Sequence, residues 1–261
     1  ATLRDNLKWS DGSDLTAQDI VYSWQRIVDP KTASEYAYLT SDAHLLNADE
    51  VIAGKKAVSD MGVKAQGNKI IFTLSKPAPQ FKNLLSFANF VPQKKAFVDK
   101  TGDNYGTASK YSLYSGPYKV EGWNGTNTTY KLVKNKYYWD AKHVRTKTVS
   151  VQTIKKPDTA VQMYKQGDVD YATISSTQAM YNANKNNKDA IKVPEATTSY
   201  IVYNETGKVA GLTNKNIRQA LNLATNRPGI VMAAVDTGSK AATALVPSGM
   251  EKLPNGQDLT D

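Results

Sequence analysis

Between Leu7 and Pro30 the hydrophobic period of the chain switches from two to 3.6, and this switch sets the folding problem for everything around it. Leu7-Lys8-Trp9 alternates like a short strand, Ser10-Asp11-Gly12-Ser13 has the composition of a turn, and Asp14-Leu15 is a second short run. At Thr16 the pattern becomes helical. The Thr16 hydroxyl can cap, and Asp19 stands three residues on, a T-x-x-D variant of the capping box. Ile20, Val21, Trp24, Ile27 and Val28 then form one apolar stripe, and Asp29-Pro30 ends it because proline disfavours helix in the residue before it. A strand, a turn and a capped amphipathic helix in 24 consecutive positions call for a sheet on which the helix can lay its stripe.

The same alternation of periods runs on. Residues 32–56 carry weak helical periodicity, Asn68–Leu74 is a β-branched strand, Gln80–Phe87 is a short helix after Pro77 and Pro79, and the segment from Lys94 is helix-like. From Ser115 the period is two: SGPYKVEGW runs into Trp123, Asn124-Gly125 signals a tight turn, and TTYKLVKN returns as the partner strand. Val149, Val151 and Thr153 share a face of a further strand. A helix starts at Pro157-Asp158-Thr159, carries Ala160, Val161 and Tyr164, and stops at Gly167. VDYATI and Thr197–Asn204 read as strands. TQAMYNANKNN reads as a helix, and so does a segment capped by Asn214 with Ile217, Leu221 and Ala224 inward. Strands and helices mix throughout, so the fold class is α/β or α+β.

Composition narrows the chemistry. Forty per cent of the 261 residues are hydrophobic, enough for a packed core, and no run approaches the roughly 18 apolar residues of a membrane span. No apolar leader is visible at Ala1, so the expectation for an exported protein is a signal that was removed or lies outside this sequence. Cysteine is absent, which excludes disulfides, thiolate catalysis and cysteine metal sites. The net charge of +9 could draw a polyanion, but the lysines are scattered in pairs and read as a solvated surface. His44 and His143 stand far apart and in no metal-binding spacing, and G-x-S-x-G and G-x-G-x-x-G are both missing. Gly62–Lys69 only faintly echoes a phosphate loop, with Asn68 where lysine is required. Asp168 and Asp170 read as solvated turn residues. The 15 tyrosines against 5 phenylalanines are the remaining anomaly, since tyrosine suits half-wet ligand clefts.

The segment LKWSDGSDLTAQDIVYSWQRIVDPKTASEYAYL resembles the signature region of the oligopeptide-binding proteins of peptide ABC importers, the OppA-like class of solute-binding proteins. The resemblance continues, in order, through EVIAGKKAVSDMGVKA, SGPYKVEGW, NKYYWD, VQMYKQGDVDYATI and NIRQALNLATNR. It implies an α/β fold of the periplasmic-binding-protein type II kind, multi-domain, with two lobes and a hinge, here incomplete at both ends. On that reading residues 1–92 are part of the small second domain, 93–198 the central part of the first domain, and 199–261 the start of a truncated third domain.

The function that this resemblance implies is that of the substrate-binding component of a bacterial oligopeptide importer. It has no catalytic role and no cofactor or metal. Its partners are oligopeptides and the membrane permease subunits, with no nucleic acid, and it acts as a monomer. Its place is outside the cell, anchored to the outer face of a Gram-positive cytoplasmic membrane, or periplasmic. Many sequences are then bound by one pocket through hydrogen bonds to the ligand backbone, as in strand addition. Tyr36 matches a cleft-lining tyrosine, with core packing as its other role. Ser175 falls near a strand end at the cleft. Glu195, Thr197 and Ser199 share one face by period two beside the hinge, small polar groups where relatives can carry aromatic or thiol ones. The acidic anchor for the peptide amino terminus falls outside this chain. A different class, a surface adhesin or polyanion binder using the basic charge, stays open, and an enzyme would need a nucleophile–base pair or metal cluster that the sequence lacks.

Overall fold

The computed structural model describes residues 1–174, 177–191, 193, 195–234 and 239–259. They form two compact units, Ala1–Thr153 and Ile154–Asp261.

The first unit is built around helix α1 (Ala17–Val28). The Asp19 carboxylate accepts the Thr16 backbone N–H at 2.9 Å and closes the capping box expected from the sequence. The stripe faces inward: Ala17, Val21, Trp24, Ile27 and Val28 are buried. Helices α2 (Tyr38–Asp42) and α3 (Ala48–Ile52) are short. Strands β1 (Val63–Gln66) and β2 (Lys69–Phe72) form an antiparallel hairpin in which Val63 pairs with Phe72 and Gln66 with Lys69. Gly67 takes the left-handed conformation the tight turn needs, so Gly62–Lys69 is a hairpin arm and not a phosphate loop. Val51, Met61 and Val63 are fully enclosed against α1. Each such side chain contributes about 1.5–3 kcal/mol relative to leaving it in water.

Trp24 is the hub of this core. Its ring lies 4.9 Å from Phe72, 5.9 Å from Phe81 and 4.1 Å from Phe90. Phe81 opens helix α4 (Phe81–Leu84), and Phe90 closes a single 3-10 turn, Ala88–Phe90. Helix α5 (Lys95–Thr101) follows. Three antiparallel strands, β3 (Tyr118–Glu121), β4 (Thr129–Lys134) and β5 (Thr148–Gln152), make a second sheet in that order. The turn at Asn124-Gly125 is held by the Asn124 side chain, which accepts the N–H groups of Thr126 and Asn127 at 3.0 and 2.9 Å.

The turn at Ser10–Ser13 is a joint. The Ser10 N–H donates to the Tyr114 carbonyl at 2.7 Å, and the Tyr114 N–H donates to the Ser10 hydroxyl at 3.1 Å. Gly12 has φ +87°, and a Cβ there would stand 2.9 Å from the Tyr137 ring. Both conditions require glycine.

In the second unit, α6 (Pro157–Gln166) begins with proline in its first turn and ends at left-handed Gly167, as expected. Helix α7 (Gln178–Asn184) is capped by the Thr177 side chain. Helix α8 (Lys215–Ala224) is capped by the Asn214 side chain, and α9 (Arg227–Ala234) follows. Two sequence expectations fail among the described residues. Neither 169–174 nor 197–204 forms a strand, and Ile217 and Leu221 of α8 are exposed. The cause is common to both. β-branched and aromatic residues supply a preference for extended backbone, but a strand needs a neighbour for its ladder and an apolar helix face needs a surface to cover it. Among the described residues of this unit, no element provides either.

Candidate functional site

Tyr36 stands just before α2. Its N–H donates to the Ser34 hydroxyl at 3.3 Å, and its carbonyl accepts the Leu39 N–H at 3.2 Å. The preceding turn contains Ala33 at φ +49°, a left-handed conformation uncommon for alanine. This geometry turns the Tyr36 ring onto Phe87, with centroids 5.7 Å apart and planes tilted by 57°. Tyr36 remains 41% exposed and Phe87 39% exposed. The Tyr36 hydroxyl has no hydrogen-bond partner among the described residues. The arrangement is a half-exposed aromatic pair with one free phenolic donor. It can stack or hydrogen-bond a ligand, and it has no group placed to activate a nucleophile.

Phe87 is the residue that sequence reasoning missed. It reads as the last apolar position of a short helix, and nothing in its spacing separates it from a core residue. Its exposure is decided by its neighbours: Phe90 takes the buried place against Trp24, and Phe87 is left outside it, 6.3 Å from the Phe90 ring.

The other expected residues belong to the second unit. Glu195, Thr197 and Ser199 are exposed on a stretch that belongs to no helix or strand. Ser175 lies outside the described residues. Trp9 and Trp24 are buried and Trp123 is half-buried. Two open depressions on the first unit contain none of the expected residues. One is lined by Arg4, Leu7, Thr16 and Asn68, and the other by Leu46, Lys56, Gly62 and Ile71.

Electrostatics elsewhere in the first unit is structural. Burial pushes the Tyr105 hydroxyl above its usual range, with Arg26, whose guanidinium lies 5.5 Å from the Tyr105 ring, acting the other way. Burial alone would raise the Asp11 carboxyl. Hydrogen bonds from the Ser13 hydroxyl and N–H, together with the Lys94 charge, outweigh it and hold Asp11 below its ordinary value. The His143 imidazole meets the Asp140 carboxylate at the surface. Among the described residues no group of three or more His, Cys, Asp or Glu could hold a metal ion, and no helix is long and apolar enough to cross a membrane.

Comparison with known proteins gives this geometry its context. The family described as "Bacterial extracellular solute-binding proteins, family 5 Middle" matches residues 1–260. The chain is 43% identical to the dipeptide-binding protein of Lactococcus lactis subsp. cremoris, over 98% of this chain and 48% of that protein. It is 34% identical to the periplasmic oligopeptide-binding protein OppA of Salmonella typhimurium, over 94% of this chain and 45% of that one. Among solved structures, Listeria monocytogenes OppA bound to peptide matches with a TM-score of 0.85 at 38% identity, covering 98% of this chain and 50% of that one. The chain thus spans about half the length of the relatives it matches. The mixed helix-and-sheet fold is that of the OppA-type periplasmic binding proteins. With a match that runs from residue 1 to residue 260, the chain belongs to the bacterial extracellular solute-binding proteins of family 5.

Proposed function

We propose that this chain forms part of the peptide-gripping body of the substrate-binding component of a bacterial oligopeptide ABC importer. The observation that carries the reading is the Tyr36–Phe87 pair, an exposed aromatic surface on a rigid core within a family whose named relatives bind dipeptides and oligopeptides. An extended peptide is held through its main chain, which every sequence shares, while side chains enter roomier, hydrated spaces. Tyr36 contributes its ring and its free hydroxyl. For the second unit, the resemblance adds Ser175, Glu195, Thr197 and Ser199 as ligand-contacting residues with short polar groups. The protein performs no covalent chemistry on its ligand. It works outside the cytoplasmic membrane as a monomer and delivers peptide to the permease subunits. Closure around the ligand is what those subunits sense, a shift between open and closed populations.

The test is isothermal calorimetry of the full-length gene product containing residues 1–261 against a defined peptide pool, with mass spectrometry of any ligand that co-purifies. The expected result is sub-micromolar peptide binding with no cleavage products, and an affinity that hardly changes with salt. A protein that binds no peptide, or one that binds heparin or another polyanion with steep salt dependence instead, overturns the proposal.

A further inference from the structure

Among the described residues, the exposed aromatic rings of the first unit are Tyr36, Tyr38, Phe87 and Trp139, and Trp139 lies under the Arg4 guanidinium. Tyr36 and Phe87 differ. They meet each other, and no cation–π contact falls on either ring among the described residues.

Behind them is a continuous line of rings. Phe87 lies 6.3 Å from Phe90, and Phe90 lies 4.1 Å from Trp24, which is 1% exposed. The backbone fixes Phe87 further. Its N–H donates to the Leu84 carbonyl, and its own carbonyl accepts the Phe90 N–H, both at 3.0 Å. The Gln80 side chain donates to the Asp42 carbonyl at 3.2 Å and so ties the segment carrying Phe87 to the end of α2, the helix that Tyr36 precedes. An aromatic surface held this way loses little conformational freedom when something is laid on it. Phe87 adds no hydrogen-bonding atom, so what it rewards is apolar contact, about 25 cal/mol for each square ångström removed from water.

We infer that Phe87 is a specificity-determining residue. Together with Tyr36 it selects, at one position of the bound peptide, an apolar or aromatic side chain over a charged one. The inference rests on the reading of Tyr36 as a peptide-contacting residue. The division of labour is chemical. The Tyr36 hydroxyl serves a peptide carbonyl, which is common to all ligands, and the Phe87 ring serves a side chain, which is not. A charged side chain placed on the pair would give up part of its hydration, and neither ring supplies a counter-charge.

The experiment uses the full-length gene product and alanine pentapeptides carrying a single Phe, Leu, Glu or Lys at successive positions. The wild-type protein is expected to prefer Phe and Leu over Glu and Lys by about tenfold at one position. In Phe87→Ala that preference falls to about twofold or less. Phe87→Leu, which keeps an apolar surface and guards against a merely destabilised variant, retains most of the preference. If the wild type binds these peptides and Phe87→Ala keeps the full preference, the inference is wrong and the peptide reading stands. If the wild type binds none of them, the peptide reading itself fails and the inference with it.

Discussion

The indole N–H of Trp9 donates to the Asp19 carboxylate at 3.3 Å, on the same oxygen that accepts the Thr16 backbone N–H. One side chain therefore caps α1 and satisfies the polar atom of a tryptophan that is 1% exposed. Replacing Asp19 by alanine removes the cap and orphans the indole. The expected cost is about 1–3 kcal/mol of unfolding free energy. Asp19→Asn, which keeps an acceptor oxygen, should cost less than half as much. Urea titration followed by tryptophan fluorescence reads both, and equal losses in the two variants would count against this linkage.

Gly62 supports the hairpin in another way. A Cβ there would run into the Thr73 carbonyl oxygen and stand 2.8 Å from the Leu46 Cβ, and the Gly62 N–H donates to the Leu46 carbonyl at 2.8 Å. Backbone cannot yield as a flexible side chain can. Gly62→Ala is expected to destabilise the first unit by about 2–3 kcal/mol, a typical overpacking cost. Thermal unfolding by circular dichroism is the measurement, and an unchanged midpoint contradicts the prediction.

Asp11 gives the first unit an acid dependence. Its carboxyl is held below the ordinary value of 3.8 in the folded protein. A depressed folded pKa means that the unfolded chain binds the proton first as pH falls. The stabilisation is thus complete well above 3.8 and is lost as pH drops through 3.8 toward the folded value. Asp11→Asn should be the less stable protein at pH 7, with the gap to wild type closing as the pH falls below 3.8. A gap that widens on acidification would reverse the assignment. The side chain is largely solvated, so the effect is small.

Tyr36 can be probed independently of stability, because it is 41% exposed. Tyr36→Ala should leave the denaturation midpoint nearly unchanged and weaken peptide binding by the full-length gene product about tenfold, the scale of a lost aromatic contact plus a hydrogen bond. Tyr36→Phe should lose only the hydroxyl share, about threefold. Titration calorimetry separates the two. Full affinity in Tyr36→Ala would remove this residue from the site.

What the sequence made legible follows from range of interaction. Helix α1 could be read to its ends because the cap, the stripe and the proline stop are all local, and the β3–β4 hairpin because its turn signal is local too, whereas β2 was read without its partner β1. The segments at 169–174 and 197–204 were misread because composition reports a preference for extended backbone and says nothing about a partner. Tyr36 was picked out by resemblance. Phe87, its contact, was not, since whether an apolar ring ends inside or outside depends on which of Phe87 and Phe90 reaches Trp24, and that is settled only in three dimensions.

The stretch at 197–203 has a practical consequence. Its backbone groups form no hydrogen bond with another described residue, and Tyr200, Ile201 and Val202 are 68%, 69% and 76% exposed. SYIVYN has no charge, no proline and high β-propensity, the make-up of a segment that stacks on copies of itself. Concentrated solutions of residues 1–261 should therefore turn cloudy through this hexapeptide, and a lysine in place of Val202 should act as a gatekeeper that keeps them clear.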